Sequence, residues 1–345
     1  MTKPTLTEKY ESNGWPSIAR PDLKPPAGWS LPLLSAVNRV RNHALAPDGE
    51  TIAFIWDRED QSDIYTLRPG SWPQRLTFDR QPIAYWSDGT PAWSPDGQWL
   101  AYGANGHIWV VPADGRGLPT KISGFATGAS SPVWLPDSHG LIMSIEHHDA
   151  GQLLLSDREG SWPRPLVTRR DGDCWEAAST ADGEWAVYTF RPFDDLRRTD
   201  IQMVHLTSGR QETVAGWPQV VCQQPEPAPT DERIAFVSQK SGWLEIWLAT
   251  TSGSEPRQLT RFHADVGYFA WSPNGRQLVA TVNQAGSYHL VLIDAETGAA
   301  QTLLAGDGYH SRPNWSPDGS WLTVEYEDPL LPPDIYRISL AGERR

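Results

Sequence analysis

Several things are scarce in this chain, and each scarcity excludes something. Two cysteines in 345 residues cannot build a disulfide framework. No apolar run approaches the roughly 20 residues that span a bilayer. The opening Met1-Thr2-Lys3-Pro4-Thr5-Leu6-Thr7-Glu8 lacks the apolar core of a signal peptide, so a cytoplasmic location is expected. Basic residues number 29 against 42 acidic ones, a net charge of −13. That balance disfavours nucleic acid and anionic membrane as partners. Apolar residues do not recur with the 3.6 period of helices, which excludes a helical solenoid. No Gly-x-Ser-x-Gly occurs anywhere. Gly124-Phe125-Ala126-Thr127-Gly128 has the glycine spacing but a threonine centre and no strand-to-helix context.

What is present is a repeat. Pro91-Ala92-Trp93-Ser94-Pro95-Asp96-Gly97-Gln98-Trp99-Leu100-Ala101-Tyr102 reads as strand, tight turn, strand. Proline presets the second turn position, aspartate bonds local backbone, and glycine takes a conformation that other residues avoid. Equivalent turns are anchored at Pro47, Pro95, Pro136, Ala181, Pro229, Pro273 and Pro317, with gaps of 48, 41, 45, 48, 44 and 44 residues. Seven all-β units of this period predict a seven-bladed β-propeller. Each unit also carries a short strand such as Asp63-Ile64-Tyr65 or Glu245-Ile246-Trp247, then a last one such as Arg257-Gln258-Leu259-Thr260. The blades are therefore four-stranded and antiparallel, with strands a to d running outward from the channel and the anchor turn joining a to b.

Eighteen tryptophans are many. Trp93, Trp134, Trp271 and Trp315 recur at one strand position, and Trp99, Trp185 and Trp321 at another, as expected for packing between blades. A carbohydrate-stacking role is the less favoured reading. Cys174 and Cys222 each lie seven residues before an anchor, on neighbouring a strands. Their Cα atoms are expected beyond the roughly 7 Å reach of a bridge, leaving two free thiols as in a reducing compartment. Residues 1–35, with Pro16, Pro21, Pro25, Pro26 and Pro32, form a proline-rich arm, and residues 36–345 the propeller. The last blade has strands a to c, and the chain stops just inside strand d. That suggests either a piece of a longer chain or a product shorter than its relatives, with an open c-strand edge.

Two stretches carry a resemblance. One is Leu76-Thr77-Phe78-Asp79 together with Trp86-Ser87-Asp88-Gly89-Thr90-Pro91-Ala92-Trp93-Ser94-Pro95-Asp96-Gly97. The other is Tyr326-Glu327-Asp328-Pro329-Leu330-Leu331-Pro332-Pro333-Asp334-Ile335-Tyr336-Arg337. With the repeat, they resemble the N-terminal propeller of prolyl oligopeptidase-family serine peptidases, the group that includes dipeptidyl and acylaminoacyl peptidases. The repeat alone is shared with TolB-like, WD-like propellers. The resemblance implies a propeller that caps an α/β-hydrolase domain and admits only small or unfolded peptides. The partner would be that hydrolase domain or a peptide substrate. No catalytic residue can be carried over, because the hydrolase with its Ser-Asp-His triad is not in this sequence. Nor do Glu325 and Glu327 match the context of the paired glutamates that hold a substrate amine in dipeptidyl peptidases.

The remaining candidates lie on or near the face formed by the b-to-c and d-to-a loops, where propellers usually bind. They are Trp86 in the loop before the second blade, Arg197 and Arg198 in the Asp194–Arg198 charge cluster, and Glu325 and Glu327 in the last blade. The cluster Arg169–Asp173 faces the same way, and the two clusters could pair with each other or grip a docked domain. Asp88 and His310 stand at the a-strand position of the cysteines and would point near the channel mouth, as polar lining or as an acid–base pair. Glu146-His147-His148-Asp149 has the residue types of a metal site but not the spacing, so it reads as a solvated loop. No cofactor or metal is expected. Three functions remain open: a capping module, inactive by itself, a free-standing TolB-like interaction scaffold, and an enzyme that uses the channel.

Overall fold

The anchor turns close as the repeat predicts. In the turn at Pro95, the Gly97 amide donates to the Ser94 carbonyl at 2.8 Å. Gly97 has φ of 69°, in the left-handed region that glycine enters freely. The Ser94 hydroxyl donates to Asp96 Oδ1 and accepts from the Trp99 amide at 3.0 Å. Ser272 with Asn274, Ser316 with Asp318 and Thr180 with Asp182 repeat that clamp. The residue before the proline thus ties turn and second strand together.

The computed structural model describes residues 38–58, 61–78, 90–124, 128–147, 150–161 and 163–344. The arm at 1–35 and the loop carrying Trp86 and Asp88 lie outside them. The described strands form seven antiparallel units in chain order. The first runs Arg39–Leu45, Ile52–Arg58, Gln61–Leu67, Gln74–Arg75, each strand paired to the next. Five units stand as separate four-stranded sheets, and the sixth and seventh share one sheet through a single parallel pair, Tyr288 with Tyr309. The seventh has three strands, Tyr309–Trp315, Trp321–Asp328 and Leu331–Ser339. Where its outermost strand would begin, Ile338 makes an isolated bridge with Arg344.

Apolar clusters fill each successive interface. Ile55 and Ile64 of unit one meet Leu100 and Tyr102 of unit two, and the series continues to Val279 and Leu290 of unit six against Leu322 and Val324 of unit seven. The tryptophans staple the same interfaces. Trp93, Trp134, Trp271 and Trp315 donate from Nε1 to the carbonyls of Ala44, Ala92, Glu226 and Ala270, at 3.0, 2.9, 2.9 and 3.2 Å. Each acceptor lies on the innermost strand of the preceding unit, so these indoles tie neighbouring units together. The ring closes where Arg39–Leu45 packs on the three strands of unit seven. The result is an all-β propeller with innermost strands around a central channel. Cys174 and Cys222 are both free and buried.

Candidate functional site: the central channel

Each innermost strand with full pairing carries a β-bulge halfway along. Register shifts fall between Arg41 and Ala44, Trp175 and Ala178, Gln223 and Glu226, Val266 and Phe269, and Ser311 and Asn314. In unit three the shift lies opposite Ile142–Ser144. A bulge sets two residues against one and re-aims a side chain. At five bulges a non-glycine residue sits at positive φ: Asn42, Ser131, Glu176, Gln224 and Arg312, all between 48° and 55°. Such residues are uncommon and cost about 1–3 kcal/mol each, so they cluster where geometry matters more than stability. In unit six the corresponding residue is Tyr268.

These residues line the channel. Three cavities of about 280, 430 and 500 Å³ all have Tyr268 in their walls. The largest is walled by Ser131, Trp175, Glu176, Gln224, Glu226 and Phe269 as well. Arg312 borders the two smaller ones.

Charge is divided across the channel. On one wall, Arg312 Nη1 donates to Thr90 Oγ1 at 2.9 Å, its guanidinium lies 5.2 Å from the Tyr268 ring, and Nε is 4.0 Å from Glu325 Oε2. On the other, Glu176 Oε2 accepts from the Gln224 amide at 2.8 Å and the Thr189 hydroxyl at 2.9 Å. Glu226 has no hydrogen-bond or ion-pair partner for its carboxylate among the described residues; only its main-chain carbonyl is engaged, by Trp271. Its side chain is exposed to the channel yet surrounded by protein walls. Desolvation by those walls and the like charge of Glu176 push its carboxyl up, towards about 7.

The closing interface holds a buried polar chain. Glu325 Oε1 accepts from the His43 amide at 2.9 Å and lies 3.0 Å from His43 Nδ1. His43 Nε2 is 2.9 Å from Thr323 Oγ1 and 3.3 Å from Asn314 Nδ2. The order hydroxyl, imidazole, carboxylate is that of a nucleophile relay. Thr323, however, is 1% exposed and borders none of the three channel cavities, so no substrate reaches its hydroxyl. The chain is a tie between the first and last units.

Several sequence-based expectations need correction. His310 is 3% exposed, stacks 4.8 Å from the Tyr326 ring and holds its Nδ1 2.7 Å from the Tyr288 carbonyl. Burial pushes its pKa down. It precedes the bulge, so it faces the interface between units rather than the channel mouth. Glu325 is 7% exposed and committed to His43, and together with the exposed Glu327 it borders the smallest cavity. Arg198 grips the buried Asp200 through two 2.8 Å hydrogen bonds, and Arg197 is exposed on the loop. Among the described residues no bond joins the two charge clusters; Arg169 bonds Asp171, and Asp173 accepts from Arg191. Trp86 and Asp88 fall outside the described residues, as do His148 and Asp149. Among the described residues, the histidine and carboxylate atoms that converge belong to His139, Asp157 and Glu159 on exposed turns. There Arg158 already occupies Glu159, and Asp157 accepts two amides.

The channel residues of the bulges escaped sequence reasoning, although a signal existed. Five residues before each anchor stand Asn42, Thr90, Ser131, Glu176, Gln224, Tyr268 and Arg312, every one of them polar or aromatic.

With this geometry in view, the comparisons with known proteins fall into place. Residues 197–344 match the TolB beta propeller domain model. The structure resembles the Mycobacterium tuberculosis puromycin-hydrolyzing peptidase with a TM-score of 0.76 at 15% identity, a match that covers 90% of this chain and 53% of that one. The chain therefore spans about half the length of that peptidase, and the likeness is one of fold. In sequence it is 28% identical over 247 residues to the uncharacterized protein Atu1656 of Agrobacterium fabrum, covering 66% of this chain and 81% of that protein. It is 26% identical over 154 residues to the uncharacterized peptidase YuxL of Bacillus subtilis, covering 32% and 23%. The propeller is thus shared by short proteins and by peptidases that carry a further domain's length of chain.

Proposed function

We propose that this propeller caps and gates an α/β-hydrolase serine peptidase of the prolyl oligopeptidase kind, supplying no nucleophile of its own. The supporting observation is the match of nine-tenths of this chain to about half of a peptidase. The loop face agrees with a docking role. Phe193, Leu196, Trp243 and Leu330 stand exposed there, in loops between second and third strands. Its substrates would be peptides passing the channel, and two free thiols suit a reducing cytoplasm. The second reading is a free-standing interaction scaffold, favoured by Atu1656, most of whose length this chain covers.

The test is peptidase assay of the purified chain on aminoacyl and dipeptidyl anilides, with a fluorophosphonate probe for active serines. No turnover and no labelling are expected. Inhibitor-sensitive turnover by this chain would overturn both readings. Reading the gene beyond the codon for Arg345 separates them: a hydrolase frame supports the cap, a stop codon the scaffold.

A further inference from the structure

We propose that the groove between the anchor turns of units one and two binds an arginine side chain carried by an extended segment of a partner protein. The fold itself supplies the template at another interface. Arg233 opens the second strand of unit five and reaches across to unit six. It bonds Asp231 of its own turn at 2.8 and 2.6 Å, donates to the Gly275 carbonyl at 2.6 Å, and lies 4.9 Å from the centre of the Trp271 ring.

Units one and two repeat those surroundings without the arginine. The Ala46 amide bonds the Thr51 carbonyl just as the Ala228 amide bonds the Arg233 carbonyl, so Thr51 stands where Arg233 stands. Trp93 is posed as Trp271 is: their indoles bond the carbonyls of Ala44 and Glu226, which hold the same place before Thr51 and Arg233. Gly97 closes its turn on Ser94 as Gly275 does on Ser272. A threonine is too short to span the gap. A cavity of about 650 Å³ is left there, with Asp48, Thr51, Trp93, Asp96, Gly97 and Asp114 in its wall.

The charge of that wall selects the occupant. It contains three carboxylates and neither lysine nor arginine. Asp96 replaces the neutral Asn274 of unit six, and Asp48 supplies the turn carboxylate one position before that of Asp231. Nearby cations are engaged outside the wall: Arg68 bonds Glu50, Arg158 bonds Glu159 and lies over Trp99, and the largely solvated Arg116 stays 3.8 Å from Asp114. Among the described residues no cation lies over Trp93. A planar guanidinium can stack on that indole while its fork of donors reaches carboxylate and carbonyl oxygens, which a compact ammonium or a metal ion cannot do.

The rim argues for a peptide rather than a free guanidine. Trp72 is 91% exposed and Leu118 79% exposed, on the outer turns of units one and two. Gln74 Nε2 donates to the Asp114 carbonyl at 3.3 Å, which sets those two turns side by side. They offer apolar contact to residues flanking the arginine. In antiparallel units these turns emerge on the face opposite the b-to-c loops, so the inference goes beyond the capping role and does not depend on it.

Isothermal titration of the full chain with the capped peptide Gly-Leu-Arg-Leu-Gly tests it, with the citrulline peptide and methylguanidine as comparisons. The arginine peptide is expected to bind at least tenfold more tightly than either. Thr51→Arg should fill the groove from within, as Arg233 does, and weaken the peptide at least tenfold while melting no lower than the parent. Asp96→Asn keeps a turn residue that unit six already uses and should weaken the peptide at least threefold. Absence of arginine-peptide binding would overturn the proposal, as would equal binding of the citrulline peptide or unchanged binding in either folded variant. Methylguanidine binding as tightly as the peptide would overturn the peptide as occupant.

Discussion

Ring closure can be tested at one side chain. Glu325 accepts from both the amide and the ring of His43 across the joint between the first and last units. Glu325→Ala leaves two buried donors without an acceptor, and breaking such a buried pair costs about 3–5 kcal/mol. Unfolding entropy of about 2.1 cal/mol/K per residue gives about 0.65 kcal/mol/K over roughly 300 residues, so the melting temperature should fall by about 5–8 °C. Burial pushes the Glu325 carboxyl up, but the His43 hydrogen bonds and the Arg312 charge outweigh it and hold it below its usual range. A carboxyl lowered in the folded state stabilises fully above the ordinary glutamate pKa, about 4.3, and that stabilisation is lost as pH falls through the folded value. The assay is thermal melting of parent and variant from pH 7 down to pH 3.5. The gap should be full at pH 7 and narrow below about pH 4. A Glu325→Ala variant melting within about 1 °C of the parent at pH 7 would refute the reasoning, as would a gap that ignores pH.

Two further predictions concern the tryptophan staples and the thiols. Trp315→Phe removes the bond to the Ala270 carbonyl and should cost about 0.5–1.5 kcal/mol in urea unfolding, whereas Trp315→Ala should cost about 3–5 kcal/mol through the added cavity; equal losses would contradict the hydrogen-bond account. Burial pushes the Cys174 thiol up to about 12 and the Cys222 thiol to about 11, so at pH 8 neither should react with an aromatic disulfide reagent until the protein is denatured, and fast labelling of the native protein would overturn the placement.

Much of the fold was legible in the sequence because propeller units are built from local signals. A Pro-Asp-Gly turn, its preceding serine and the alternating strands on either side lie within a dozen residues, and their chemistry is complete there. The tryptophan positions were equally readable, since the same indole recurs at the same offset and buries the same surface in each unit.

The site was legible only as a polar or aromatic position five residues before each anchor, for a physical reason. Simple alternation along an innermost strand assigns one face to each residue, and on that rule the position of Cys174, Cys222 and His310 points to the channel mouth. The bulge inserts one residue, reverses the assignment, and sends Glu176, Gln224 and Arg312 inward instead. Nor could spacing along the chain reveal that His43 and Glu325, 282 positions apart, meet at the ring's closure, or that Glu226 would be left unpaired beside Glu176. Local turns and strand periods are properties of short stretches and belong to the sequence by itself. Pairings between units depend on how the twisted units close on one another, and only the tertiary structure decides them.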